Sequence, residues 1–402
     1  MPGDDTVRPK AHNPPVRQRA TSIFAVGLAV RLVAVAYLAK FYPDRLSWGI
    51  NEAGAIARWV VVNHSFSTPY HDAFGPTAWL GPVYPAIVAT AFLVFGVQTY
   101  ASALAILVFN AFCSAATGTV VYKIGKECGG EKAGWCAGWM WALSPPIAIL
   151  PWIQWDTCLS ALFLSVAILL TVRSKFAKRT DWIVYGGTWG LAALVNPALL
   201  APLPLLAMSL AKQWKRLGIA VLVAISVIAP WTARNYLVFH RVIPIRSNGL
   251  AEVYFANGGI AAHPLGHSME YQSMGEVAFT AEVNRRALEY IRVNPGVFFR
   301  DCIVRAQLFW IGPPTFEPLS LFMEVGALVG AILLFRKSRL LALQLLAAPA
   351  AYPLIFYACL PISRYRHPID PVLYALAGVA IASVPSMLGG IAGRGPGREV
   401  LP

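Results

Sequence analysis

"GPVYPAIVATAFLVFG", residues 81–96, is nearly all apolar but short, with Pro82 and Pro85 near its start. A crossing helix needs about 20 apolar residues. Whether this stretch traverses a membrane decides on which side every later loop falls. A membrane is implied by composition. Of 402 residues, 57% are hydrophobic and 13% charged, and the mean hydropathy is +0.57. Soluble domains carry about 25% charged residues. The expected fold class is therefore an all-α polytopic membrane protein. Candidate crossings are the apolar runs 21–40, 97–122, 133–152, 156–172, 182–195, 198–211, 217–230, 319–335, 340–358 and 371–388.

Positive charge orients these runs, because basic loops stay in the cytoplasm. The N-terminal tail carries Arg8, Lys10, Arg17 and Arg19. Further basic loops are "KIGKECGGEK" (123–132), "RSKFAKR" (173–179), "KQWKR" (212–216) and "RKSR" (336–339), and the C-terminal tail has Arg394 and Arg398. Run 21–40 leads out, and 97–122 must lead back to place Lys123 inside. That works only if 81–96 does not cross. It is read as a helix along the outer face, or one that dips in and returns. Every later basic loop then falls inside, giving about ten crossings with both termini cytoplasmic. The net charge of +14 is explained by these loops and anionic lipid, so no nucleic-acid partner is expected. The six cysteines show no CxxC spacing, which argues against a metal site or disulfide framework.

The same parity leaves "PISRYRHPID" (361–370) outside, with Arg364, Arg366 and His367 against the charge bias. Cations kept there suit an anion at the outer membrane surface. A chance interfacial anchor is the simpler alternative. Glu52, Asp156, Asn196 and Arg234 fall on the same side. Residues 51–63 have helical spacing, with Ile56, Trp59, Val60 and Asn63 on one face. Glu52 lies one turn earlier; held against the interface, its pKa rises and it can act as a general base. It also suits a helix N-terminus. Asp156 is either a second site acid or the N-cap of the next helix. Asn196–Pro197 reads as a turn. Arg31, midway along the first crossing, is a functional candidate, or it pairs with a carbonyl or an acidic lipid. In "EVNRRALEYIRVNP" (282–295), Glu282–Arg286 and Arg285–Glu289 are i,i+4 pairs of a solvated helix.

Five segments in order carry a family likeness: "NEAGAIARWVVVNHSFSTPY", "GPTAWLGPVYPAIVATAFLVFG", "PWTARNYLVFHRVIPIRSNG", "ALEYIRVNPGVF" and "SRYRHPIDPVLYALAG". Together they resemble the integral-membrane glycosyltransferases of the GT-C superfamily. The branch is family 39-like, similar to protein mannosyltransferases and lipid A aminoarabinose transferases. The likeness runs from about residue 20 to 388. It implies a polyprenyl-phosphate-linked sugar passed to a lipid, glycan or protein acceptor outside the membrane. It also implies a first outer loop with juxtamembrane helices and an acidic residue. That residue is often part of an Asp-Glu pair; here Asn51-Glu52 leaves only Glu52 to carry over. The second family acid corresponds best to Asp156, and some relatives have lysine where this chain has Asn196.

The expected organisation is a basic cytoplasmic tail (1–20) and an N-terminal transmembrane module (21–230) whose outer loop, 41–96, carries the acid. An extracytoplasmic loop region (231–318) follows. Transmembrane helices (319–388) with the outer basic loop 361–370 and a cytoplasmic tail (389–402) complete the chain. The expected catalytic residues are Glu52 and Asp156. Arg364, Arg366, His367 and Arg234 are expected to bind the sugar donor's phosphate. Asn51, Arg58, His71, Tyr84, Asn235 and Tyr365 are candidate substrate contacts. Glu52 would deprotonate the acceptor, and one displacement would invert the anomeric centre. Phosphate is already a good leaving group, so the chemistry requires no metal or other cofactor; a divalent cation stays open. The expected location is the bacterial inner membrane, with the active site extracytoplasmic. The rival reading is a transporter or flippase of an anionic lipid-linked substrate. No repeat of two related halves is visible in support of it.

Overall fold

The computed structural model describes residues 16–48, 51–70, 74–173, 178–257, 268–311, 317–360 and 362–392. Among the described residues no strand forms; the one bridge joins Ser67 and Pro76. The helices are α1 (Val16–Phe41), α2 (Glu52–Asn63), α3 (Val83–Phe95), α4 (Tyr100–Gly129), α5 (Glu131–Leu143) and α6 (Pro145–Ile149). Then come α7 (Thr157–Arg173), α8 (Arg179–Val195), α9 (Leu203–Ser209), α10 (Trp214–Phe239) and α11 (Ala251–Asn257). The remainder are α12 (Ser268–Val293), α13 (Pro295–Ile311), α14 (Glu317–Lys337), α15 (Arg339–Ala351), α16 (Pro353–Ala358) and α17 (Asp370–Ala392).

Among the described residues, six segments are long and apolar enough to cross a bilayer: Gln18–Phe41, Tyr100–Gly129, Ala211–Phe239, Pro318–Lys337, Arg339–Ala358 and His367–Val384. The other four expected crossings form shorter pieces. Run 133–152 breaks after the 13-residue α5, at Pro145 and Pro146, and run 198–211 breaks at Pro202. Proline lacks the amide a helix interior needs. Helices α7 and α8 each have 17 residues, the lower limit for a crossing.

The two ends of the bundle differ in chemistry. At one end Arg19 meets Glu131 at 2.9 Å, Lys126 meets Glu131 at 2.7 Å, and Arg173 meets Glu127 at 3.1 Å. Lys337 donates to Cys128 O there. Four basic stretches that are far apart in sequence thus share one end. At the other end Trp48 donates to Thr99 O, Asn51 to Gln154 O, and Arg246 to Val195 O. Both ends of α3 meet this second end. Gly81 lies so close to α8 that a Cβ on it would stand 2.1 Å from Leu194 O. Gly96, at φ +94, turns the chain towards Thr99. With 13 residues, α3 is about 20 Å long, against a hydrocarbon layer of about 30 Å.

Helix α17 is the most enclosed of the six, with 78% of its window buried. Small residues allow this. A Cβ on Gly330 of α14 would stand 1.9 Å from Leu376 O, and one on Gly378 would stand 2.6 Å from Ala133 O of α5. Backbone therefore meets backbone on both flanks, where dispersion rather than the hydrophobic effect joins helices in lipid. Arg31 is fully buried and pairs with carbonyls, one of its expected fates. It donates to Gly27 O, Ala142 O, Trp141 O and Ser114 Oγ. These acceptors tie α1 to α4 and α5.

Candidate active site

Helix α2 begins where Asn51 caps it: the side-chain oxygen accepts from Gly54 N at 2.9 Å. The Asn51 amide donates to Gln154 O at 2.8 Å, which joins the cap to the segment before α7. Glu52 follows in the first turn, where a carboxylate suits the helix dipole. Its Oε1 accepts from the Trp79 indole at 3.1 Å. Glu52 and Asn51 open into a cavity of about 1070 Å³ at the second end of the bundle.

This cavity is built from both halves of the chain. Trp48, Tyr70, Trp152 and Trp155 come from the first half, and Phe255, Phe356 and Tyr365 from the second. Its charged lining is Arg45, Glu52, Arg246, Glu252 and Arg364. Burial pushes Glu52 up to about 7, and the Glu252 carboxylate adds to the rise; the Trp79 hydrogen bond, Arg246 and Arg364 oppose it. Burial also raises Glu252, against Arg246, Arg364 and Asn248. Asp156 lies just behind the wall, 4% exposed, with Oδ2 3.7 Å from Arg246 Nη2. Burial raises it too, with Arg246 and Arg364 pulling the other way. Three acids whose charged forms are disfavoured thus surround two arginines.

The arginines carry the clearest ligand signal. Arg364 is held flat by aromatics, its guanidinium 4.8 Å from the Trp155 ring and 5.3 Å from that of Tyr365. Tyr365 in turn stacks on Phe356 at 4.7 Å. Arg246 is held by Val195 O. Among the described residues, the buried Nε of each arginine has no hydrogen-bond partner. Buried donors are seldom left unmade in folded proteins, and orphaned charged ones cost most. Two guanidinium cations lining one cavity fit an anion with several acceptor oxygens.

The expected site residues divide on this geometry. Glu52, Asn51, Arg364 and Tyr365 line the cavity, and Asp156 stands behind it. Arg366 does not face it. Its guanidinium donates to Glu324 at 2.6 Å, to Asp370 at 3.1 Å and to Trp310 O at 2.9 Å, joining α13, α14 and α17. Arg366 thus tethers helices in this geometry and does not line the cavity. His367, fully buried, stacks on Trp141 at 5.3 Å, with Nδ1 3.4 Å from Asp370. Arg234 donates to Thr77 O and Phe66 O and lies over the Trp231 ring. Asn235 donates to Ile243 O, Tyr84 is buried among apolar side chains, and Arg58 is exposed. None of these five lines the cavity. His71 lies outside the described residues.

Sequence reasoning did not single out Arg246, Glu252 or Asn248. Arg246 stood inside a quoted segment, "PIRSNG", and its signal was a cation six residues before an acid in a loop expected outside the membrane. The Arg366 reading has its own test. Arg366→Met leaves Glu324 and Asp370 without their cation, which costs about 3 kcal/mol for a buried pair. A lowered melting temperature with unchanged ligand affinity is the expected result.

No family model matches the chain, and no curated protein matches it. Solved structures do. The oligosaccharyltransferase of Archaeoglobus fulgidus, tethered with an acceptor peptide, aligns with 94% of this chain at a TM-score of 0.56 and 15% identity. In complex with Zn and sulfate the same protein aligns with 92% at a TM-score of 0.55 and 17% identity. ArnT from Cupriavidus metallidurans bound to undecaprenyl phosphate aligns with 94% of this chain and 80% of its own, at a TM-score of 0.41 and 14% identity. This chain spans about half of the archaeal oligosaccharyltransferase, 51% in both cases. The chain shares its all-α polytopic membrane fold with the archaeal oligosaccharyltransferase, the fold class the sequence analysis expected.

Proposed function

We propose that this chain is a membrane glycosyltransferase that moves a sugar from a polyprenyl-phosphate donor to an acceptor hydroxyl or amine. The observation that carries this reading is that the cations Arg246 and Arg364 line one cavity with Glu52. Arg246 and Arg364 take the phosphate oxygens. The aromatic walls suit the apolar faces of a sugar. Glu52 removes the proton from the acceptor, and the freed lone pair attacks the anomeric carbon. The bond from that carbon to the phosphate oxygen breaks, and polyprenyl phosphate leaves with the electron pair. Its developing charge meets two fixed cations in a desolvated site, usually the largest catalytic contribution. A single displacement inverts the anomeric centre.

The basic residues gathered at the opposite end favour an extracytoplasmic cavity, with both termini in the cytoplasm. The fold shared with the archaeal oligosaccharyltransferase supports a glycosyl-transfer reading. Incubating the purified protein with a panel of polyprenyl-phosphate sugars and acceptors tests the reading. Acceptor-dependent release of polyprenyl phosphate, read by mass spectrometry, is expected; no release with any donor would overturn it.

A pH dependence follows. Glu52 works as a base only when ionised, and its pKa stands at about 7. kcat/KM should therefore fall tenfold per pH unit below about 7. An acid limb near the usual carboxylate value would remove Glu52 from the role.

A further inference from the structure

Residues 66–70 and 74–79, paired by backbone hydrogen bonds, form a strap across the site end. Thr68 N donates to Gly75 O at 3.0 Å and Thr77 N to Phe66 O at 3.1 Å. The strap ends in Trp79, which is fully buried between Tyr70, Phe255, Tyr271 and Phe279. Its indole holds Glu52. Two residues grip the strap from outside. Arg234 of α10 takes Thr77 O and Phe66 O. Glu276 of α12 accepts from the Thr77 hydroxyl, from Ala78 N at 2.6 Å and from the Tyr271 hydroxyl at 2.7 Å. Thr77 Oγ1 accepts in turn from Trp79 N at 3.0 Å.

Glu276 is 4% exposed, and an acid so placed is costly unless fully bonded. The helix also breaks to place it: Gly275, at φ +73, departs from helical geometry one residue earlier. Three donors on one carboxylate, beside a helix break, exceed what tying down a surface loop requires. The strap contacts of Glu276, at Thr77 and Ala78, fall within two residues of Trp79.

We propose that Glu276 is a positioning residue for Glu52, acting through Thr77, Ala78 and the Trp79 indole. The proposal rests on the reading of Glu52 as the base. It adds a link from α12, 224 positions away in sequence, to that base. The indole hydrogen bond favours the Glu52 carboxylate, so losing it raises the Glu52 pKa. Glu252, Arg246, Arg364 and Tyr70 also face Glu52. Arg234, Tyr70 and Tyr271 face Glu276. All of these stay intact in the test variants.

Dicyclohexylcarbodiimide modifies protonated, desolvated carboxyls, and peptide mass spectrometry reads Glu52 apart from Glu252 and Glu276. The full-length protein in nanodiscs is labelled across neutral pH. In Glu276→Met the pH of half-labelling at Glu52 should rise by about one unit. Trp79→Phe should give the same shift, and the double variant no more than either alone. Glu276→Gln keeps an acceptor for Ala78 N and should shift less. If Glu276→Met fails to fold, Thr77→Ala, which removes the hydroxyl bridge, should still raise the midpoint. An unchanged midpoint in the folded variant, or shifts that simply add, would overturn the proposal. Labelling needs no turnover. A wild type that transfers no sugar would sink the enzymatic reading while leaving this coupling measurable.

Discussion

Glu52→Gln should lower sugar transfer by about 10²- to 10⁴-fold, the usual contribution of a positioned general base. The amide keeps the size of the carboxyl and still accepts from the Trp79 indole at Oε1. The cavity therefore keeps its shape, and donor affinity should change by less than about threefold. The loss should appear in kcat, because the proton is taken in the transition state rather than on binding. Transfer rates by mass spectrometry, beside donor binding to the same preparation, separate the two. A Glu52→Gln protein that transfers sugar at the wild-type rate would exclude Glu52 and leave Glu252 or Asp156 to be examined.

The second large effect is at Arg364. Arg364→Met removes one of the two cations that face the leaving phosphate and should cost about 10²- to 10³-fold in kcat/KM. Arg364→Lys should recover only part of this. Lysine keeps the charge but loses the planar stack on Trp155 and Tyr365, which fixes the direction of the guanidinium. The contrast with Arg366, two residues on, is informative. Arg366 binds Glu324, Asp370 and a carbonyl, so its loss should reduce stability and spare phosphate binding. If Arg364→Met binds polyprenyl phosphate as the wild type does, the phosphate site lies elsewhere.

The membrane character and the helices were legible because hydropathy and loop charge are local properties of sequence. The i,i+4 pairs of α12 were legible for the same reason: Arg286 meets Glu282 at 2.8 Å and Arg285 meets Glu289 at 2.8 Å. Glu52 and Arg364 emerged because each is an ionisable group on a segment expected outside the membrane, and the cavity does bring them together. What stayed hidden depends on partners far away in the chain. Arg366 looked as free as Arg364 because Glu324 and Trp310 O lie 42 and 56 positions away. Glu276 lies before the stretch 282–295 read as a solvated helix and was not singled out, because its partner Thr77 is 199 residues distant. The ten expected crossings resolve into six long helices and several short ones, because Pro145, Pro146 and Pro202 interrupt runs that a hydropathy count treats as continuous.

Helix α17 sets a limit on how this cavity can admit a bulky lipid-linked molecule. Wedged at Gly330 and Gly378 with main chain against main chain, it has no slack in which to swing, and Arg364 and Tyr365 stand at its threshold. The vessel thus has one fixed jaw, and any gape must come from the opposing one, where Arg246 lies between α10 and α11 and Glu252 in the seven-residue α11.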